Sequence, residues 1–251
     1  MTNYRWVLPT SVTFAILVLG VSSIFRVIQG DMIAAAQFIV LAAILDGLDG
    51  ELARLSKGIT DFGKRLDMYV DAISFGVAPA VLIYDVMWSD FPALGWFIAI
   101  TIVCAGVIRF SRDEVVSDVG GSQHTFRGLP IPVCAIWVGM FVLLMESDVW
   151  AGGSDSFLRQ IPLPQIMWPL IFASLVLQVS NIPYVKPSKE LVGLALALTV
   201  LGMLITHRPA MAFALGTCAS MLAFMVIGPA LVRHQTIHDD SDSEEPISVQ
   251  R

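Results

Sequence analysis

Long apolar runs alternate with short polar breaks along most of the chain. A helix that crosses a bilayer needs about 20 mainly apolar residues. Runs of that kind are predicted over 6–26, 32–54, 63–85, 91–110, 130–147, 164–183, 190–206 and 210–232. The fifth to seventh are short or flanked by proline, so the expected number of spans is eight, bounded at six to eight. Pro130, Pro132, Pro162, Pro164, Pro183, Pro187 and Pro209 stand near the run ends, where a missing N–H disturbs a helix least. The expected fold class is all-α: a polytopic membrane helical bundle.

Composition strengthens this reading. The chain has 251 residues, 56% of them hydrophobic and 14% charged, with a mean hydropathy of +0.74. A soluble domain of this length carries about 25% charged residues. There is no room for a separate soluble enzyme. One membrane domain is expected over 1–232, followed by a tail, 233–251, holding Asp239, Asp240, Asp242, Glu244 and Glu245. Such a run is solvated and disordered by composition. A single basic residue, Arg5, precedes the first run, and no small-residue cleavage site follows, so a retained first span is expected.

The basic residues orient the bundle. With eight spans and both termini cytoplasmic, the inner side holds Arg5, Arg54, Lys57, Lys64, Arg65, Arg109, Arg112, Arg127, Lys186, Lys189, Arg233 and Arg251. The outer side holds only Arg26, Arg159 and Arg208. Cys104, Cys134 and Cys218 all fall in apolar runs with no partner at ligand spacing, and read as small packing residues. The histidines sit in loops or the tail, which argues against zinc inside the bundle. Pairs of small residues four apart (Gly193 and Ala197, Ala210 and Ala214, Gly216 and Ser220) let helices approach closely, within one chain or between two.

The stretch Asp46–Asp71 breaks the pattern. It places four carboxylates between two apolar runs. Ionisable groups at or inside a membrane boundary are costly and mark a site by default. Asp46, Asp49, Gly50 and Ala53 are spaced i, i+3, i+4, i+7 and share a helix face. Gly63, Asp67 and Asp71 share a face on the next helix. At 1.5 Å per residue, Asp46 lies about 12 Å from Arg54 and Asp71 about 12 Å from Gly63. The short connection makes the two helices antiparallel neighbours, so the acids come level.

Carboxylates this close cannot all stay ionised without cations. Hard oxygen ligands suit magnesium, manganese or calcium. Two such ions would clamp a phosphoryl group. Arg54 reaches toward a diphosphate, and Gly50 and Ala53 leave room beside the backbone for a ligand. Single acids in this position could be loop groups or snorkelling caps, but that leaves four on matching faces unexplained.

The spacing D-x2-D-G-x2-A-R-x8-G-x3-D-x3-D, met by Asp46, Asp49, Gly50, Ala53, Arg54, Gly63, Asp67 and Asp71, resembles the signature of the CDP-alcohol phosphatidyltransferases. The resemblance implies a membrane enzyme, usually a homodimer. It moves a phosphatidyl group from CDP-diacylglycerol to an alcohol and releases CMP. It implies two divalent cations, Mg2+ or Mn2+, on Asp46, Asp49, Asp67 and Asp71, with Asp71 also the general base. It implies that Asp49, Gly50, Ala53, Arg54 and Gly63 hold the CDP moiety. The stretches Ser74–Ala80, Phe126–Pro132 and Ser180–Tyr184 look like the phosphatidylserine synthase branch, which points to L-serine as acceptor. That branch usually reads RLARFN where this chain has Gly106 to Ser111; the first arginine is absent and Arg109 matches the second.

Arg109, Arg112 and Arg127 are candidates to meet an acceptor carboxylate or a lipid phosphate; they serve equally as positive-inside residues. Ser74 and Ser111 could contact the acceptor or bond their own helix backbone. Glycerol 3-phosphate, an inositol compound or choline stand as alternative acceptors. A cation transporter is a distant alternative, since the polar residues gather at one end of one helix pair and no repeat is visible. A bacterial or archaeal inner membrane, with the site at its cytoplasmic face, is expected, and no nucleic-acid partner.

Overall fold

The computed structural model describes residues 7–56, 60–88, 92–118, 125–145 and 163–185. These form α1 (Val7–Ile28), α2 (Met32–Ser56), α3 (Asp61–Asp71), a π-helical turn (Ala72–Val77), α4 (Ala78–Trp88), α5 (Pro92–Asp118), β1 (Thr125–Arg127), α6 (Ile131–Met145), α7 (Leu163–Val179) and β2 (Pro183–Val185). The first six expected runs each meet a helix. The runs at 190–206 and 210–232, and the tail 233–251, lie outside the described residues.

The α1–α2 hairpin is closed by local chemistry. Gly30 adopts φ 79°, a left-handed conformation open to glycine. Its N–H donates to Val27 O, and that of Asp31 to Arg26 O, which satisfies the last carbonyls of α1. Asp31 then caps α2 by accepting from the Ala34 N–H at 3.1 Å. The hairpin is locked further in by Ser23, whose buried hydroxyl donates to Ala35 O.

Helix α1 packs along α2 and also touches α3, the π turn and α4, so one helix sets the separation of the two acid-bearing segments. Helix α6 packs against α2 at a small-residue contact. A Cβ on Gly139 would stand 3.1 Å from Val40 Cγ2 and 3.3 Å from Ala36 O. Ile16, Ile39, Phe75, Leu82, Ile83 and Phe141 are fully or almost fully buried in the common core. Large apolar side chains meanwhile stand exposed on the outer faces: Phe14, Val18 and Phe25 on α1, Trp96, Phe97 and Ile108 on α5, Phe172 and Val176 on α7. Buried polar groups with an apolar exterior suit a lipid solvent. Among the described residues, Thr10–Ile28, Phe62–Val86 and Gly95–Arg112 are long and apolar enough to cross a membrane. The chain is a helical membrane protein.

Helices α2 (Met32–Ser56), α6 (Ile131–Met145) and α7 (Leu163–Val179) meet the predicted runs 32–54, 130–147 and 164–183 to within a few residues. One boundary differs from expectation for a physical reason. Helix α5 continues past the expected end at 110 to Asp118. No glycine or proline intervenes before Gly120, so the loss of hydropathy there does not end the helix. Arg109 and Arg112 are therefore both helical residues. The third run is one continuous helical path interrupted by the π turn, where the Ala78 N–H donates to Ile73 O. Among the described residues, the all-helical expectation has one exception. Strands β1 and β2 pair antiparallel, with Thr125 opposite Val185, Phe126 opposite Tyr184 and Arg127 opposite Pro183.

Candidate active site

Asp46 sits on α2 as far from Ser56 as Asp71 sits from Asp61 on α3. Equal arms on a helical hairpin bring the two acids level, and Asp67 lies one turn from Asp71. Carboxylate oxygens of Asp46, Asp67 and Asp71 all lie within 4.8 Å of one another, and the three side chains are half-buried. Oxygen-only donors at this spacing fit a hard divalent cation. The sequence-predicted ligand Asp49 follows Asp46 by three residues on α2. Its side chain lies outside the described residues, as do those of Ala53 and Arg54 and the surroundings of Gly50.

Thr60 fixes the start of α3. Its φ and ψ, −126° and 152°, are extended, and its hydroxyl accepts from the Gly63 N–H at 3.0 Å. A Cβ on Gly63 would stand 3.1 Å from Thr60 Oγ1. Gly63 thus lies at a tight helix start, and spacing alone did not reveal Thr60. Immediately after Asp71 comes the π turn. One added residue per turn rotates the following side chains by about 100°. Before the turn Asp67 and Asp71 meet Asp46; within and after it Phe75, Ala78 and Leu82 enter the core. π turns interrupt α-helices frequently at functional sites.

The turn is braced by α1. Ser74 is fully buried and its hydroxyl donates to Ile16 O at 3.2 Å. Gly20 lies against it: a Cβ there would come 2.4 Å from Ser74 Oγ and 2.7 Å from Ser74 Cα. Ser74 therefore bonds the backbone of another helix, and Ser111 bonds its own, Val107 O, at 3.0 Å. Gly20 carries no polar atom, so nothing in its local pattern marks its part in holding Asp71.

The candidate arginines are placed differently. Arg109 is buried and donates to Leu129 O. Arg112 Nη1 donates to Val179 O at 2.7 Å, Ser180 O at 2.9 Å and Asn181 Oδ1 at 3.2 Å. Arg127 stands in β1, with its side chain outside the described residues. Tyr184, opposite Phe126, is fully buried, and burial pushes its hydroxyl above the ordinary tyrosine range, so it stays neutral. A water-sized cavity of about 10 Å³ lies between the π turn and α5, α6 and α7, lined by Phe75, Ile102, Ala135, Ser174 and Gln178 among others. No acid lines it, and it is too small for a substrate.

Residues 6–180 match the family model described as CDP-alcohol phosphatidyltransferase. A CDP-diacylglycerol–serine O-phosphatidyltransferase of Helicobacter pylori is 31% identical over 199 residues, 79% of this chain and 80% of the relative. An archaetidylserine synthase of Methanothermobacter thermautotrophicus is 42% identical over 126 residues, 49% of this chain and 52% of the relative. A CDP-diacylglycerol–serine O-phosphatidyltransferase of Bacillus subtilis is 30% identical over 139 residues, 55% of this chain and 75% of the relative. The matched span contains the whole acid cluster, the α1 brace behind it and the arginine contacts as far as Ser180, and with that overlap the chain belongs to the CDP-alcohol phosphatidyltransferase family.

Proposed function

We propose that the protein is a phosphatidylserine synthase, transferring a phosphatidyl group from CDP-diacylglycerol to L-serine with release of CMP. The observation that carries the reading is the convergence of the Asp46, Asp67 and Asp71 oxygens inside the family match. The serine-transferring relatives from several organisms support the acceptor.

Asp46, Asp49, Asp67 and Asp71 would hold two divalent cations, Mg2+ or Mn2+. When bound, these ions neutralise the diphosphate and stabilise CMP as it leaves. The chain's own residues do the rest. Asp71 accepts the proton of the serine hydroxyl as its oxygen attacks the β-phosphorus in line. The bond from that phosphorus to the CMP oxygen breaks, and the electron pair leaves with CMP. Asp49, Gly50, Ala53, Arg54 and Gly63 hold the CDP moiety, and the lack of bulk at Gly50 and Ala53 lets the nucleotide approach α2. Arg127, in β1, would meet the serine carboxylate.

The same reading takes the protein as a homodimer of eight-span subunits, over 1–232, with both termini and the site on the cytoplasmic side of a bacterial or archaeal inner membrane. The excess of Lys and Arg on one side of the expected spans supports this orientation.

An acceptor panel tests the assignment. Purified protein in mixed micelles with CDP-diacylglycerol and Mg2+ or Mn2+ is given L-serine, glycerol 3-phosphate, inositol, inositol phosphate or choline, and CMP is measured. CMP release is expected with serine alone; release with another acceptor and none with serine overturns the assignment.

A further inference from the structure

The contacts of Arg109 and Arg112 join parts of the chain that are far apart in sequence. Arg112 on α5 reaches Val179, Ser180 and Asn181 at the end of α7. The last carbonyls of a helix lack partners within it, and a cation there is favourable. Arg109, one turn earlier, holds Leu129 O on the approach to α6. The two receiving segments are also bonded to each other. Gly128 N–H donates to Ile182 O at 2.8 Å, and Leu129 N–H to Leu177 O at 3.1 Å. The β1–β2 ladder continues the same seam.

Gly128 shows how tight the seam is. Its φ is 81°, and a Cβ there would stand 2.5 Å from Gln178 O, 3.0 Å from Ser180 O and 3.0 Å from Arg112 Nη2. A side chain would meet two backbone oxygens and the guanidinium together.

The seam lies at the depth of the acids. Arg109 is as far along α5 from Pro92 as Asp71 is from Trp88 at the far end of α4, and α5 packs against both α4 and the π turn. At about 1.5 Å per residue, the antiparallel arms come level. The corner bearing Arg127 is thus fastened beside the end of the bundle that holds Asp71.

We propose that Arg112, supported by Arg109, is a positioning residue: it clasps the end of α7 to the Phe126–Pro130 segment and so fixes the acceptor side of the site, without itself binding the acceptor. The proposal rests on the phosphatidyltransferase reading. It predicts that the side chain is needed for the place of the corner and not for its charge toward substrate.

The test separates these roles. Arg112→Ala should raise the acceptor KM by roughly tenfold to a hundredfold, with the KM for CDP-diacylglycerol changed by no more than about twofold. Thr125→Cys with Val185→Cys, placed on opposed ladder positions, is then added to Arg112→Ala. Oxidation to the disulfide should recover most of the acceptor KM, and reduction should lose it again. Asn181→Ala, which keeps the guanidinium, should raise the acceptor KM in the same direction by a smaller factor.

An unchanged acceptor KM in Arg112→Ala overturns the proposal. So does a disulfide that forms fully and restores nothing, which would make Arg112 a direct ligand of the acceptor. A readout without catalysis keeps the two readings apart: in the double-cysteine protein, Arg112→Ala should slow disulfide formation. If it does so while the wild type transfers to no acceptor, the function fails and the clasp stands. If disulfide formation is unaffected, the clasp fails whatever the enzyme does.

Discussion

The acid cluster and the arginine seam carry opposite charges at one end of the same bundle, and they are built in opposite ways. The acids belong to two helices joined by a short connection, and their own helical spacing brings the oxygens within 4.8 Å. The arginines of α5 instead spend hydrogen bonds on backbone carbonyls 20 to 68 residues away. Like charges gathered in one place call for a cation from outside. The Arg109 and Arg112 guanidinium groups already donate to carbonyls of their own chain. In this fold a charged residue near the chemistry is therefore no guide to its role until its partners are known.

Four substitutions sharpen the comparison, beginning with the largest effect. Asp71→Asn should lower serine-dependent CMP release by about 10²–10⁴-fold, with helix content by circular dichroism unchanged; full activity would remove Asp71 from the role of base. Gly128→Ala strikes the seam, where left-handed backbone and overpacking combine. We expect a loss of about 2–4 kcal/mol, seen as a lower unfolding temperature in detergent, together with a higher acceptor KM. Gly20→Ala strikes the brace behind Asp71. Its methyl would press on Ser74 Cα, for a loss of about 1–3 kcal/mol and a fall in kcat with the acceptor KM nearly unchanged. If instead the acceptor KM rose alone, α1 would not be bracing the acid side. Thr60→Ala removes the cap of α3 and should cost about 1 kcal/mol, measured as a small drop in unfolding temperature. Hydrogen exchange should rise at Gly63, whose N–H loses its acceptor.

What the chain revealed before folding follows the range of the interactions. Asp46, Asp67 and Asp71 were legible because helical periodicity over a few turns decides which residues share a face, and the connection is short. Hydropathy marked the first six helices to within a few residues, except at the end of α5. At Arg112 and Asp113 polarity rises while the helix continues through Asp118. The π turn was hidden, since Ala72 to Val77 contains no residue that demands it. Gly20 was hidden for a related reason: glycine is required there by Ser74, which arrives from a distant part of the chain. Arg109 and Arg112 drew notice for their charge, yet their partners at Leu129, Val179, Ser180 and Asn181 are set by packing alone. The suggestion that Ser74 and Ser111 bond backbone instead of acceptor fits both hydroxyls, but for Ser74 the carbonyl belongs to α1.

The most direct test of the central claim is a metal titration of serine-dependent CMP release. Wild type and Asp46→Asn are stripped with EDTA and returned stepwise to Mg2+ or Mn2+ with CDP-diacylglycerol and L-serine present. The account predicts no release in EDTA, recovery in the wild type as metal is added, and little or none in Asp46→Asn at the same concentrations. Undiminished release in EDTA, or a variant that follows the wild-type curve, would contradict the assignment of Asp46, Asp67 and Asp71 as the metal centre of this transferase.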